Sequence, residues 1–371
     1  MWFASAEYMT RVDKARKYMA DRELDYLMVF EPEMVTYLTG FYTQGYSTSF
    51  QFALIGSSGT PLTVLRKAEE HHFRTTGAWA DNYLLWYDGE TAAEVVRRAL
   101  SEASVAGRVG FDGGSWRAPF SLIHSVLGTN GIEFVNLGEE LDSLRFIKSH
   151  AELGYLREAG QVVGLMHAAG IEAARAGGTE RDIAIATSTA AVRGGSDFSD
   201  PGPIASGDRA HHIHNWYSDR VLTDRDLVFL EMTAHKKNYH ARSMRTLVIG
   251  EPEKRMVDTF RRFVEVQDEA LATVKAGVHC SVPDRIVRDG VLGTKWVERY
   301  PNKTFYGIGM ILWPNTYEKL EVTHNADFCF EAGMTFHAYI SANGLNISET
   351  IAVTEDGCEV LTHFDRELFI K

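Results

Sequence analysis

Cysteine is scarce in this chain: Cys280, Cys329 and Cys358 are three among 371 residues, odd in number and widely spaced. That argues against a disulfide framework, and no spacing among them matches a cysteine metal site. No uninterrupted apolar run is long enough to span a bilayer, and the first residues lack the basic-then-apolar pattern of a secretory signal. The expectation is a reduced, cytoplasmic protein without a membrane partner. Basic charge is also short, with 38 Lys and Arg against 50 Asp and Glu and a formal net charge of -12. A nucleic-acid partner calls for a basic face, so none is expected. Local basic pockets for an acidic small-molecule substrate stay compatible with that balance. No tandem repeat, low-complexity segment or Gly/Ser/Pro-rich linker is visible.

What is present suits two packed domains. Hydrophobic residues make up 45% and charged ones 24%, ordinary for a globular chain, and 371 residues suffice for two cores. Residues 1–148 read as an α/β domain. A helix is predicted over Ala6–Arg22, strands over Leu24–Phe30, Ser49–Ile55, Leu62–Leu65 and Tyr83–Tyr87, and helices Ala92–Ala103 and Trp116–Leu127 around a short strand Arg108–Phe111. Residues 149–371 begin helically. The pattern predicts a long helix over Glu152–Ala176, stopped by Gly177-Gly178, and a second one capped at Thr179. Helices Glu253–Ala276 and Val282–Arg299 follow, and the strand-like runs Cys329–Phe330, Met334–Ile340, Asn346–Val353 and Val360–Thr362 close the chain. Helix pairs with strands suit an antiparallel sheet backed by helices.

The densest chemistry lies between Ser206 and Thr246, which holds five of the fourteen histidines. Apolar alternation over Leu227–Met232 and again over Tyr239–Leu247 predicts two antiparallel strands joined by the turn His235-Lys236-Lys237-Asn238. Such a pair would present Glu231, His240 and Arg242 to one cavity. Glu231, inside the run LVFLEMTA, is costly as a buried carboxylate unless paired. It reads either as an ion-pair partner of Arg242 or Arg245 or as a group that orients water or binds a substrate nitrogen.

From His214-Asn215 through Arg220 and Asp226-Leu227 to Arg245-Thr246, the spacing resembles the catalytic half of the pita-bread family, which includes methionine aminopeptidase, prolidase, aminopeptidase P and creatinase. The resemblance covers nearly the whole chain. It implies an α+β fold, with a creatinase-like N-terminal α/β domain followed by a pita-bread catalytic domain with a curved antiparallel sheet backed by helices. Members that bind two metals use Asp, Asp, His, Glu and Glu. Here Glu231 stands at the first position, Arg242 at the second, Tyr306 at the histidine position, and Tyr339 and Ser348 at the glutamates. Two divalent ions need several anionic or imidazole ligands, and an arginine cannot deprotonate, so no metal and no cofactor is expected.

The metal-free branch of the family, creatinase-like and ectoine hydrolase-like, is the more similar one. His214-Asn215 matches the creatinase pattern, and LEM, YHA, MRT, MTFH and ISET match ectoine hydrolase-like proteins. That resemblance implies a hydrolase of a carbon-nitrogen bond in a small non-peptide amidine or amide bearing a carboxylate. His214 would be general base and then acid, with Glu231, His240, His337 and Glu349 as further catalytic groups on one face. Arg242, Tyr306 and Tyr339 are the substrate-binding candidates, Arg242 through paired hydrogen bonds to a carboxylate. Met244 and Tyr339 replace the carboxylates that hold creatine in creatinase, which argues against that substrate. The family also implies a homodimer in which the N-terminal domain of one subunit reaches the site of the other, with Arg66 as the candidate contact. Two other readings are a metal-dependent Xaa-Pro dipeptidase and a catalytically inactive binding module of the same fold.

Overall fold

A computed structural model of the chain describes residues 2–129 and 131–371. The described residues divide into two compact units. One runs to Leu144 and includes Leu312–Pro314; the other comprises Arg145–Ile311 and Asn315–Lys371. Among the described residues no helix is long and apolar enough to cross a membrane.

The first unit is built on a six-stranded mixed sheet of β1 (Tyr26–Val29), β2 (Phe52–Gly56), β3 (Leu62–Arg66), β4 (Tyr83–Trp86), β5 (Gly107–Phe111) and β6 (Ile132–Asn136), in the order β4-β3-β2-β1-β5-β6. The helix Ala92–Glu102 starts at a capping box in which Thr91 and Glu94 satisfy each other's backbone amides. It buries Val95, Val96, Ala99 and Leu100 in a cluster with Met28, Val109 and Phe111 of the sheet. The helix Pro32–Thr39 has no counterpart in the sequence reading. All eight of its residues are buried, so it carries no polar face for a periodicity to reveal.

The second unit opens with helices His150–Ala173 and Glu180–Arg193, each entered through a capping box, Ser149 with Glu152 and Thr179 with Asp182. Its strands are β7 (Ile204–Ser206), β8 (Leu227–Lys236), β9 (Tyr239–Val248), β10 (Phe305–Gly307), β11 (Glu318–Val322), β12 (Thr335–Ala342), β13 (Leu345–Val353), β14 (Cys358–Val360) and β15 (Phe369–Ile370). They form two sheets, β15-β9-β8-β7 and β11-β10-β12-β13-β14, antiparallel except for the parallel β15–β9 pair. Between β9 and β10 run the helices Lys254–Leu271 and Ser281–Gly293. The second of these ends at Gly293 rather than at Arg299, because Lys295 takes a left-handed φ of 55°. Cys329 makes only an isolated bridge to His279, so no strand forms there.

Strand parity decides what faces the site. On β8, Val228, Leu230, Met232 and Ala234 join the core formed with Val162, Val163, Met166 and Ile183 of the two preceding helices. Phe229 lies in the other core cluster, and Glu231 shares its face. On β9, Ala241 and Leu247 face the helices, so His240, Arg242 and Met244 face the site.

Where β9 meets β13, side-chain hydroxyls take the place of a backbone ladder. Ser348 Oγ accepts the Met244 amide at 2.6 Å, Thr350 Oγ1 accepts the Arg242 amide at 2.9 Å and donates to its carbonyl at 2.8 Å, and Thr246 Oγ1 bridges to Asn346. The two sheets are therefore joined along a seam of Ser and Thr hydroxyls directly beside the candidate site.

Candidate active site

The five positions singled out by the sequence pattern converge on one face. Arg242 is the hub. Its guanidinium lies 3.5 Å from Glu231 Oε1, donates to the Tyr306 hydroxyl at 2.9 Å, and donates to the Thr316 carbonyl at 3.0 Å. Tyr306 lies across from His337 in the β10–β12 pairing and is hydrogen-bonded to His337 Nδ1 at 2.6 Å; His337 Nε2 meets Ser348 Oγ at 2.5 Å. Because Tyr306 accepts from Arg242, its own proton points to His337 Nδ1, which leaves the imidazole proton on Nε2 facing Ser348. Tyr339 closes the wall, its ring 5.7 Å from Tyr306 and stacked 5.5 Å from His337.

The electrostatics follow from one buried cation. Burial pushes the Glu231 carboxyl above the ordinary carboxylate range, and the Arg242 charge pulls it part of the way back. Burial works against the Arg242 charge too, but Tyr306 and Glu231 outweigh it. Burial, reinforced by Arg242, lowers His240 and His337 well below the usual imidazole value and pushes His235 down to about 3. The cluster thus presents one fixed cation, one carboxyl and three neutral imidazoles. His235 sits 5.6 Å from the His240 ring, a neighbour that sequence reasoning assigned to a turn. The turn itself is only Lys237-Asn238, both with positive φ of 50° and 60°, so β8 runs on through His235 and Lys236 and carries His235 into the cluster.

His214 lies outside this cluster. It is exposed on the loop after β7 and lines a cavity of about 460 Å³ with His211, His212, Arg299, Tyr300 and Asn343. The loop is held by a buried hub that the sequence did not suggest. Glu180 accepts Ser206 N and Oγ, each at 2.7 Å, and Ser218 N and Oγ at 2.8 and 2.6 Å, and pairs with Arg209. Asn215 then ties back to the Arg209 carbonyl at 2.8 Å, and Arg220 grips Asp226 through two hydrogen bonds of 2.6 and 2.8 Å. His214 makes no hydrogen bond or ion pair among the described residues, so its ring is free to take a ligand.

Comparison with known proteins places this architecture. Residues 154–355, more than half of the chain, match the family model of metallopeptidase family M24, and residues 11–147 match the Creatinase/Prolidase N-terminal domain. The chain belongs to the M24 metallopeptidase family. Peptidases are hydrolases, so the family places the chain among hydrolases. The chain is 26% identical to a Sinorhizobium fredii protein called "Uncharacterized hydrolase/peptidase y4tM", over 100% of this chain and 98% of that one. It is also 26% identical to the ectoine hydrolase of Halomonas elongata, with the same coverage. The crystal structure of dipeptidase PepE from Mycobacterium ulcerans superposes with a TM-score of 0.83 at 25% identity, covering 99% of each chain.

Against that family background, the donor set of this M24 chain does not fit a pair of divalent ions. The one carboxylate at the centre already faces a guanidinium, and a guanidinium neither coordinates metal nor loses its charge. Among the described residues no group of three or more His, Cys, Asp or Glu is arranged to hold a metal ion.

One expectation about an individual residue needs correction. Glu349 does not share a face with His337. On β13 it follows Ser348, so it points to the opposite side, where it pairs with Arg245 at 2.6 Å, accepts the Thr362 hydroxyl and lies 3.6 Å from Arg366. Arg245 and Glu349 are both fully buried, so their pairing belongs to the interior of the second unit. Arg66, at the end of β3, is engaged at the surface of the first unit by two hydrogen bonds of 2.6 Å to Asp88. His240 is brought to the site as expected. Its Nδ1 meets the Gly309 carbonyl at 3.2 Å, and its Nε2 is buried with no hydrogen-bond partner among the described residues.

Proposed function

We propose that this protein is a metal-independent hydrolase of a carbon-nitrogen bond in a small non-peptide amidine or amide that carries a carboxylate. The observation that carries this reading is Arg242, a buried guanidinium at a position where metal-binding relatives hold an ion. A fixed cation there serves two ends. It attracts the substrate's carboxylate, and it stabilises negative charge that develops as water adds to the scissile carbon.

The chemistry needs only proton traffic. Water's oxygen bonds to the amidine or amide carbon while a base takes its proton; the carbon-nitrogen bond then breaks, and the same proton goes to the leaving nitrogen. His214 is assigned both transfers; its ring lies outside the Arg242 cluster, so the assignment requires the loop after β7 to carry it to the water held there. Glu231, whose carboxyl burial pushes above the ordinary carboxylate range, and His240, whose Nε2 has no hydrogen-bond partner among the described residues, are suited to orient the water and the substrate nitrogen. Neutral His337 and the Tyr306 hydroxyl fix the guanidinium in place. The likeness to ectoine hydrolase over the full length makes a cyclic amidine of that kind the first substrate to try.

A second reading, a metal-dependent dipeptidase, draws on the likeness to PepE. One experiment separates the two. Ectoine, hydroxyectoine, creatine and Xaa-Pro dipeptides are incubated with enzyme dialysed against chelator, with and without added manganese, cobalt or zinc. Turnover of a non-peptide amidine that chelation leaves unchanged supports the proposal; dipeptide cleavage that appears only with added metal overturns it.

A further inference from the structure

The first unit holds a cavity that plays no part in the chemistry above. It measures about 420 Å³ and is lined by Phe50, Ala92, Trp116, Arg117, Pro119 and Leu122, with Ser121 and Ser125 among its remaining walls. Its composition is lopsided. The apolar walls surround a single charged lining residue, Arg117, and that guanidinium makes no ion pair or side-chain hydrogen bond among the described residues. Its Nε is buried without a hydrogen-bond partner among the described residues. Burial is the main influence on its charge, and the nearest opposing charge acting on it, Glu31, works only through space.

Arg117 has one visible consolation, the Trp116 ring, 5.1 Å from the guanidinium carbon. A ring face attracts a cation weakly and leaves its N–H donors unfilled. Trp116 itself stays 37% exposed and lines the cavity. Arg97 adds a second cation nearby, donating to the carbonyl of the lining residue Ser125 at 2.7 Å. Elsewhere in the chain other partly buried arginines are matched: Arg220 to Asp226 and Arg288 to Asp284. A partly desolvated guanidinium beside an open indole face, within an apolar hollow, is the arrangement that receives a flat body ending in a carboxylate.

We propose that this cavity is a second ligand site, for a small aromatic or heteroaromatic carboxylate: the carboxylate on Arg117, the ring between Trp116 and Phe50. The ring supplies the apolar burial and the carboxylate supplies the missing hydrogen-bond acceptor. A neutral analogue offers only the first, and an inorganic anion only the second.

The test is isothermal titration calorimetry of the full chain with indole-3-carboxylate, with its neutral counterpart indole-3-methanol, and with inorganic phosphate. Saturable binding of indole-3-carboxylate is expected, with indole-3-methanol and phosphate each at least about tenfold weaker. R117M should weaken the carboxylate by about tenfold or more, R117K should retain part of the affinity, and H214A should leave it unchanged. Absence of saturable binding, equal affinity in R117M, phosphate binding as tight as the aromatic acid, or loss of binding in H214A would each overturn the assignment. So would a change of sedimentation coefficient in R117M, since the groove would then be a surface between copies of the chain.

Discussion

Replacing Arg242 with methionine removes the guanidinium and keeps most of the stem. Glu231, 4% exposed, is then left without its counter-charge. Removing one partner of a buried ion pair costs about 3–5 kcal/mol, and the 3.5 Å separation here, looser than a close bidentate contact, puts the expected loss at about 3 kcal/mol. The loss has a definite pH dependence. Folding raises the Glu231 carboxyl, so the folded state binds that proton more tightly than the unfolded chain. Such a group penalises the fold above its folded-state value, and the penalty fades as pH falls toward the unfolded value of about 4.3. Losing Arg242 removes the influence that lowers Glu231, which widens that window upward.

The three imidazoles move the deficit in the same direction. His235, His240 and His337 are depressed in the folded state, so they weaken the fold as pH drops below the unfolded imidazole value. Without the guanidinium that acid penalty shrinks. Urea unfolding of R242M should therefore show a deficit of about 3 kcal/mol near pH 8 and a clearly smaller one near pH 5. The double variant E231Q/R242M, which buries no lone charge, should recover most of the loss near pH 8. The reasoning fails if R242M stays within about 1 kcal/mol of the parent near pH 8, or if the double variant is no more stable than the single one.

Three further outcomes can be checked. H214A should lower turnover of the amidine substrate by about 10²–10⁴-fold while its urea midpoint barely moves, since the ring is exposed and unbonded; parent-like turnover would remove His214 from the mechanism. E349A strands Arg245, which keeps only carbonyl partners, and should cost about 3–5 kcal/mol in urea unfolding with KM unchanged; a stable variant with altered KM would return Glu349 to the site. Dialysis against chelator should leave kcat of the parent unchanged, and recovery of a lost activity by manganese would contradict the role given to Arg242.

Much of the site could be read from residues alone, because β8 and β9 alternate cleanly and parity then assigns Glu231 and Arg242 to one side. The same rule was available for β13 and points the other way for Glu349: a residue next to Ser348 on a strand cannot share its face. The pattern ISET drew attention to composition where geometry decided. His235 escaped for a different reason. Lys237-Asn238 lacks the glycine that usually marks a two-residue turn, so the loop looked longer than it is and the strand shorter. Glu180 gave no local signal at all, since its partners Ser206, Arg209 and Ser218 lie 26 to 38 positions away and meet it only after the loop has closed.

The hydroxyl seam between β9 and β13 ties positions 242 and 348 into the joint between the two sheets. Ser348, which the family resemblance sets at a metal-ligand glutamate, is also the peg that catches the Met244 amide, and that amide lies close to Arg242 along the same strand. Restoring a carboxylate at 348 would withdraw the peg and loosen the joint between the sheets, while restoring one at 242 alone would set a new anion against Glu231 with no ion to reconcile them. A carboxylate pair at 242 and 348 would therefore have to overcome a loosened sheet joint and an uncompensated anion at the same time.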